Sequence, residues 1–326
     1  MDARIGELAA LGTALCWTVT ALSFESAGKR IGSLTVNIIR LVMAAALFVV
    51  YGWFVRGLAL PTDASAAAWG WLGLSGLVGF VIGDLFLFQA FVDIGARVSM
   101  LIYASVPPLT AIMARFALDE RLTALGIVGM MLTVVGIAIV VLKRPAPGEV
   151  RPPVAAAPHA VPGDGALDAA ADGAVEAPMH RPHHLRGALF AFGGSLGQAA
   201  GLILGRIGAG VTLDPFAATQ IRVFAGIVGF VLLFTVSRRW RAVGAALRDG
   251  VAMRRVGVGA LFGPFLGVSL GLYAAQNTSA GVASTIMALV PVLIIVPSVI
   301  VFKERVTVRE VLGAIVAVVG VGLLFL

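Results

Sequence analysis

Apolar residues run through this chain in blocks of about twenty, the length at which a helix crosses a bilayer core of roughly 30 Å. Short clusters rich in arginine, aspartate, glycine and proline separate them. The blocks lie at 6–27, 33–55, 68–92, 96–118 and 122–142, and again at 186–208, 213–236, 255–276, 280–302 and 306–326. This pattern predicts an all-α membrane protein of ten transmembrane helices. Residues 143–185 break it: they hold eight of the fifteen prolines, many alanines and several acids, without periodicity. Such a stretch buries no core and predicts a disordered linker. The chain therefore divides into a five-helix unit at 1–142, the linker at 143–185 and a second five-helix unit at 186–326.

The two units echo each other. Pro107, Glu120-Arg121, Thr123, Gly129 and Gly136 recur 184 residues later as Pro291, Glu304-Arg305, Thr307, Gly313 and Gly320. Laid out without a gap, 83–142 and 267–326 agree at 17 of 60 positions, which marks a duplication. The first two blocks of each unit match at an offset of 182, so that Ile39-Arg40 recurs as Ile221-Arg222. A repeat with an odd number of spans must place its second copy upside down, as in transporters built from inverted repeats. Glycines four apart (Gly193, Gly197, Gly201 and Gly205; Gly259, Gly263, Gly267 and Gly271; with Ser75, Gly79 and Gly83) predict helix faces in close contact.

Composition agrees with this class: 59% of residues are hydrophobic, 13% are charged and mean hydropathy is +0.99. The net charge of +7 does not point to nucleic acid, because the excess arginine sits in short loops at headgroup level. Loops on the side of the termini carry five Lys/Arg and the opposite side seventeen, a bias that predicts both termini outside a cell membrane of the bacterial inner type. The first apolar segment is too long for a signal-peptide core and is read as a retained helix. Cys16 is the single cysteine, so no internal disulfide forms. His159, His180, His183 and His184 all fall in the linker, which leaves neither a Ser/His/Asp triad nor a histidine metal site within the bundle. No GxxxxGK[ST] loop is present. Neither an enzyme, a cofactor nor a bound metal is expected.

Ionisable groups at membrane depth are costly, about 2.5–3.5 kcal/mol each at the centre, and mark function first. Asp84 is the deepest acid, some sixteen residues into the third block. It suits proton exchange or pairing with a cationic substrate group, and equally a structural carboxyl bonded to a neighbouring helix. Arg40 and Arg222 form a symmetric pair about two turns inside their blocks, placed either to snorkel or to meet an anionic group. Asn37 and Gln220 lie within a turn of them. Pro107 and Pro291 break backbone bonding, which is tolerated at depth where a helix lines a cavity. Trp17, Tyr103, Gln198 and Tyr273 are candidates to line the same pathway. Glu120-Arg121 and Glu304-Arg305 read as structural turns.

The Glu-Arg turns followed by Gly-x6-Gly, the helix with Pro107 or Pro291, and Gly83-Asp84-x-Phe86-x-Phe88-x-Ala90 with Ile94-Gly95-Ala96 together resemble the EamA family of the drug/metabolite transporter superfamily. The resemblance implies two inverted five-helix repeats, no cofactor, and alternating access to a central cavity for amino acids, other metabolites or drugs. It implies cytoplasmic termini, opposite to the charge count. Small multidrug members couple protons through a glutamate in the first helix; here Cys16-Trp17-Thr18 stands there, so that mechanism does not transfer. The expected function is a secondary transporter of small organic solutes in a lipid bilayer, with a proton or counter-solute as partner. A non-transporting scaffold or regulatory protein is the alternative. Substrate and oligomeric state are not written in the pattern.

Overall fold

The computed structural model describes residues 2–87, 89–90, 102–141, 184–293 and 308–325. Nearly all of the expected linker, together with Ile94-Gly95-Ala96 and Glu304-Arg305, lies outside the described residues. What is described is helical, and no strand occurs among the described residues.

The helices are α1 (Asp2–Ile31), α2 (Ser33–Tyr51), α3 (Ala66–Gly76), α4 (Val106–Ala117), α5 (Ala124–Val141), α6 (His184–Ala209), α7 (Pro215–Val236), α8 (Trp240–Ala246), α9 (Gly250–Ala260), α10 (Val268–Asn277), α11 (Ala280–Met287), α12 (Val290–Leu293) and α13 (Val308–Gly322). Among the described residues, six continuous stretches are long and apolar enough to cross a membrane: Arg4–Gly28, Leu34–Arg56, Ala66–Leu87, Leu185–Ala209, Pro215–Val236 and Gly250–Asn277. Ala124–Ile139 and Val311–Gly322 are shorter apolar helices. Large apolar side chains such as Phe54, Phe116 and Val228 stand on the outer surface, as lipid-facing positions should.

Local chemistry sets the helix ends. Asp214 caps α7 through the Ala217 amide at 2.8 Å with Pro215 in the first turn, and Ser65 and Ser279 cap α3 and α11. After α6, Gly210 adopts φ 55°, a left-handed conformation that a glycine takes without a Cβ clash.

The helices pack in pairs related by a pseudo-two-fold axis. A Cβ on Gly129 would lie 2.6 Å from the Gly320 carbonyl oxygen, and one on Gly136 2.6 Å from that of Gly313. Between them, Thr133 Oγ1 lies 3.4 Å from the Ala317 carbonyl oxygen, 184 residues away. Residue numbers rise along α5 as they fall along α13. Equivalent helices of the two halves are therefore antiparallel, and each meets the other's counterpart, as a two-fold axis requires. α2 crosses α7 in the same sense, Leu41 near Gly226 and Tyr51 stacked on Phe216 at 4.4 Å.

The glycine stripes do what close approach demands. A Cβ on Gly197 would stand 2.7 Å from Gly83 Cα and one on Gly201 3.0 Å from Gly79 Cα, so α6 touches the continuation of α3 through Gly83 backbone to backbone. Ser75 Oγ donates to the Gly201 carbonyl at 2.6 Å across this seam. In the symmetry-related pair, Gly259, Gly263 and Gly267 receive Phe24, Thr20 and Trp17 of α1. Gly70 of α3 is the natural contrast, since a Cβ there meets nothing within 4 Å. Gly70→Ala is expected to raise stability by about 0.5–1 kcal/mol through helix propensity alone, measurable as a small rise in Tm.

Of three π-helical segments among the described residues, Gly52–Arg56 ends α2, while two others lie within the bundle: Leu77–Gly83 follows α3, and Leu261–Gly267 joins α9 to α10. These two are related by the 184-residue offset. Turns at Ala104-Ser105 before α4 and Ala288-Leu289 before α12 share that offset. Pro107 and Pro291 follow these turns near the starts of α4 and α12, so the backbone breaks just ahead of each proline and the ring's missing N–H falls where none is needed.

Candidate functional site

A cavity of about 280 Å³ opens where the duplicated π segments and turns converge. Its walls are built from symmetry mates. Gly79 and Gly263, Phe80 and Pro264, Ala104 and Ala288, and Val106 and Val290 all line it, each pair 184 residues apart. Arg40 with Arg222 and Thr20 with Leu202 are pairs at the 182 offset. The cavity therefore sits on the pseudo-axis. π segments widen a helix by one residue per turn and recur at functional sites, because they turn backbone and side chains toward the space beside them.

Polarity breaks this symmetry. Asp84 is mated with Val268, Tyr103 with Met287, and Thr20 with Leu202, all of them lining residues. The polar member belongs to the first half in every case. Arg40 donates through Nη2 to Asp84 Oδ2 from α2, with side-chain exposures of 14% and 20%, and its guanidinium lies 5.4 Å over the Phe24 ring. At the other pole Arg222, 5% exposed, lies 5.2 Å over the Phe80 ring. Its Nε is buried without a hydrogen-bond partner, and among the described residues no carboxylate pairs with it. Packing fixes that position, since a Cβ on Gly76 would stand 2.2 Å from the Arg222 carbonyl oxygen and one on Gly205 3.5 Å from its guanidinium carbon.

Of the residues singled out in the sequence, Asp84, Arg40, Arg222, Trp17, Tyr103 and Gln198 come together around the cavity. Asn37, Gln220 and Tyr273 are not among its lining residues. Gln220 donates to the Ala59 carbonyl at 2.9 Å, tying the loop after α2 to α7. Asn37 is buried with Nδ2 unpartnered, and the Tyr273 carbonyl accepts from Asn277 at 2.8 Å. Phe80, Thr20, Met287 and both π segments were not foreseen. A signal for the segments existed, because Leu77, Gly79 and Gly83 recur as Leu261, Gly263 and Gly267.

The end that carries Arg4 is tied across helices. Glu120, in the loop after α4, accepts from Arg206 of α6 and from the Ala280 amide of α11 at 2.8 Å. The carboxylate sits at a helix N-terminus as expected, but on α11 rather than on its own following helix. Gln276 adds bonds to the Gly210 and Leu213 carbonyls, both 3.0 Å. Glu120→Ala leaves Arg206 half-buried and unpaired and is expected to lower stability by about 2–3 kcal/mol, read from the thermal midpoint of the purified protein.

The sequence profile of the EamA-like transporter family matches residues 4–142 and 185–326. A solved structure described only as "Crystal structure of protein" superposes with a TM-score of 0.69, at 16% identity, over 98% of this chain and 95% of that one. At that identity the likeness concerns fold alone. A search of curated proteins found no match.

Proposed function

The chain belongs to the EamA-like transporter family and is a multi-pass membrane protein, and from that premise we propose that it is a secondary transporter of small organic solutes, built as ten helices in two inverted five-helix repeats at 1–142 and 186–326 joined by a linker at 143–185. Members of the family are transporters of small molecules rather than enzymes. One observation carries the reading: the central cavity is lined by symmetry mates from both repeats. With a pseudo-two-fold axis through the site, exchanging the conformations of the two halves turns an opening on one side into an opening on the other. The cavity's apolar walls with few polar groups suit amino acids, other metabolites or drugs. A scaffold role would leave the cavity without use and predicts no flux.

Asp84 with Arg40 is the proposed coupling element. Among the described residues, Arg40 from α2, Tyr103 from the segment before α4, and Arg222 from α7 are the charged or titratable residues lining the cavity with it. Protonation of Asp84 releases Arg40, and a substrate amine competing for the carboxylate does the same. The test is solute uptake by the purified protein in liposomes across pH: Asp84→Asn should flatten the profile, and an unchanged profile removes Asp84 from coupling. Two surface carboxylates do not confound it. A hydrogen bond from Arg30 holds Asp249 below the usual carboxylate range, and one from Arg56 does the same for Asp63. A carboxylate with a lowered folded pKa adds stability above its unfolded value of about 3.9, and loses it only as pH falls through the folded one. Both ties therefore stay intact between about pH 5 and 8, and pH dependence in that window arises elsewhere.

A further inference from the structure

Applied to the ion pair, the pseudo-axis predicts a carboxylate partner that position 268 does not supply. The operation that takes Arg40 to Arg222 takes Asp84 to Val268. α10, which begins at Val268, packs against α7, which carries Arg222, and both residues line the cavity. Each half thus supplies an arginine, but only the first supplies its carboxylate. Where the first half lines the cavity with Asp84, Tyr103 and Thr20, the second half has Val268, Met287 and Leu202 at the mated positions. A guanidinium buried to 5% exposure, with Nε unpartnered and an aromatic face against it, is costly to maintain unless an acceptor arrives.

We propose that the acceptor is the substrate: the cavity binds a small solute carrying a carboxylate on an apolar body, and the carboxylate takes the place beside Arg222 that Asp84 holds beside Arg40. The proposal rests on the transport reading for its setting and adds the substrate class to it. Arginine suits the task because its fork meets a carboxylate with two parallel hydrogen bonds. Val268, Met287 and Leu202 then contact the apolar body. The occupied site has two neutralised arginines, one paired internally and one by cargo, so the charge balance of the cavity differs between loaded and empty carrier.

The test uses the full chain purified in detergent, with thermal stabilisation titrated by phenylacetate and hexanoate against phenylacetamide and hexanamide, and with sodium chloride and phosphate as separate arms. The wild type should bind each acid at least tenfold more tightly than its amide. Val268→Asp restores the missing internal partner, so it should keep or raise the thermal midpoint while abolishing the acid preference; Arg222→Gln should abolish it too. Should Arg222→Gln not fold, Val268→Asp still decides the matter. Equal binding of acid and amide by the wild type, or an acid preference that survives Val268→Asp, overturns the proposal. Stabilisation by chloride or phosphate equal to that by the acids also overturns it, since the site would then serve inorganic anions. Liposome flux separates the two claims: uptake of uncharged solutes without acid preference defeats only this inference, while acid binding without uptake of any solute defeats the transport reading.

Discussion

Asp84→Ala is expected to abolish solute uptake and to lower stability by about 3–5 kcal/mol, because it leaves Arg40 charged and unpaired within the bundle. Arg40 is 14% exposed as a side chain and its Nε is already buried without a partner, so little water stands ready to replace the lost carboxylate. Removing both charges separates stability from function. Ion pairs taken out of water gain little net stability over well-packed apolar side chains. Arg40→Met with Asp84→Leu should therefore recover most of the lost thermal midpoint while uptake stays absent. Recovery of both would make the pair structural; recovery of neither would mean that the residues act through different partners. The comparison needs only melting curves and liposome uptake on three proteins.

The second large effect concerns the seam between α3 and α6. Gly197→Val should prevent assembly of a folded protein, because its Cβ would lie 2.7 Å from Gly83 Cα and backbone on both sides blocks relief. Overpacking of this kind costs about 1–3 kcal/mol in a core that can relax, and more where backbones already touch. Position 193 on the same stripe gives the control. A Cβ there meets the edge of the Phe86 ring, Cδ2 at 2.7 Å, a side chain rather than backbone, so Gly193→Ala should cost less than Gly197→Val. Recovery of monodisperse protein after detergent extraction ranks the two variants; equal recovery would show that the seam yields.

Much of this was legible from the apolar pattern and the 184-residue echo. Periodic blocks marked helices such as α2, α6 and α7 to within a few residues, because a bilayer imposes both length and internal bonding on every crossing. The glycine stripes pointed to close-packed faces, which the α3–α6 seam displays. Helix rotation was less accessible. Asn37 lies one turn from Arg40, yet Arg40 lines the cavity and Asn37 does not, since facing depends on packing across the bundle. Gln220 looked like a site residue and instead binds the loop at Ala59, a contact that sequence distance conceals. The direct pairing of Arg40 with Asp84 was hidden for the same reason: 44 residues separate them, and each alone admitted several roles. The asymmetry at Val268 was visible as a mismatch, but its meaning required the pseudo-axis to be seen in three dimensions.

Alternating exposure of the two halves of the cavity is tested most directly by thiol accessibility. In a Cys16→Ser background, single cysteines at Ala104 and at its symmetry mate Ala288 probe opposite halves of the same chamber. Labelling rates are measured with a membrane-impermeant reagent from each face of oriented liposomes, with and without a solute that binds. Alternating access predicts that each position reacts from one face in a given state and that the solute moves the two rates in opposite directions. Reaction of both positions from both faces at once, unmoved by solute, would contradict it.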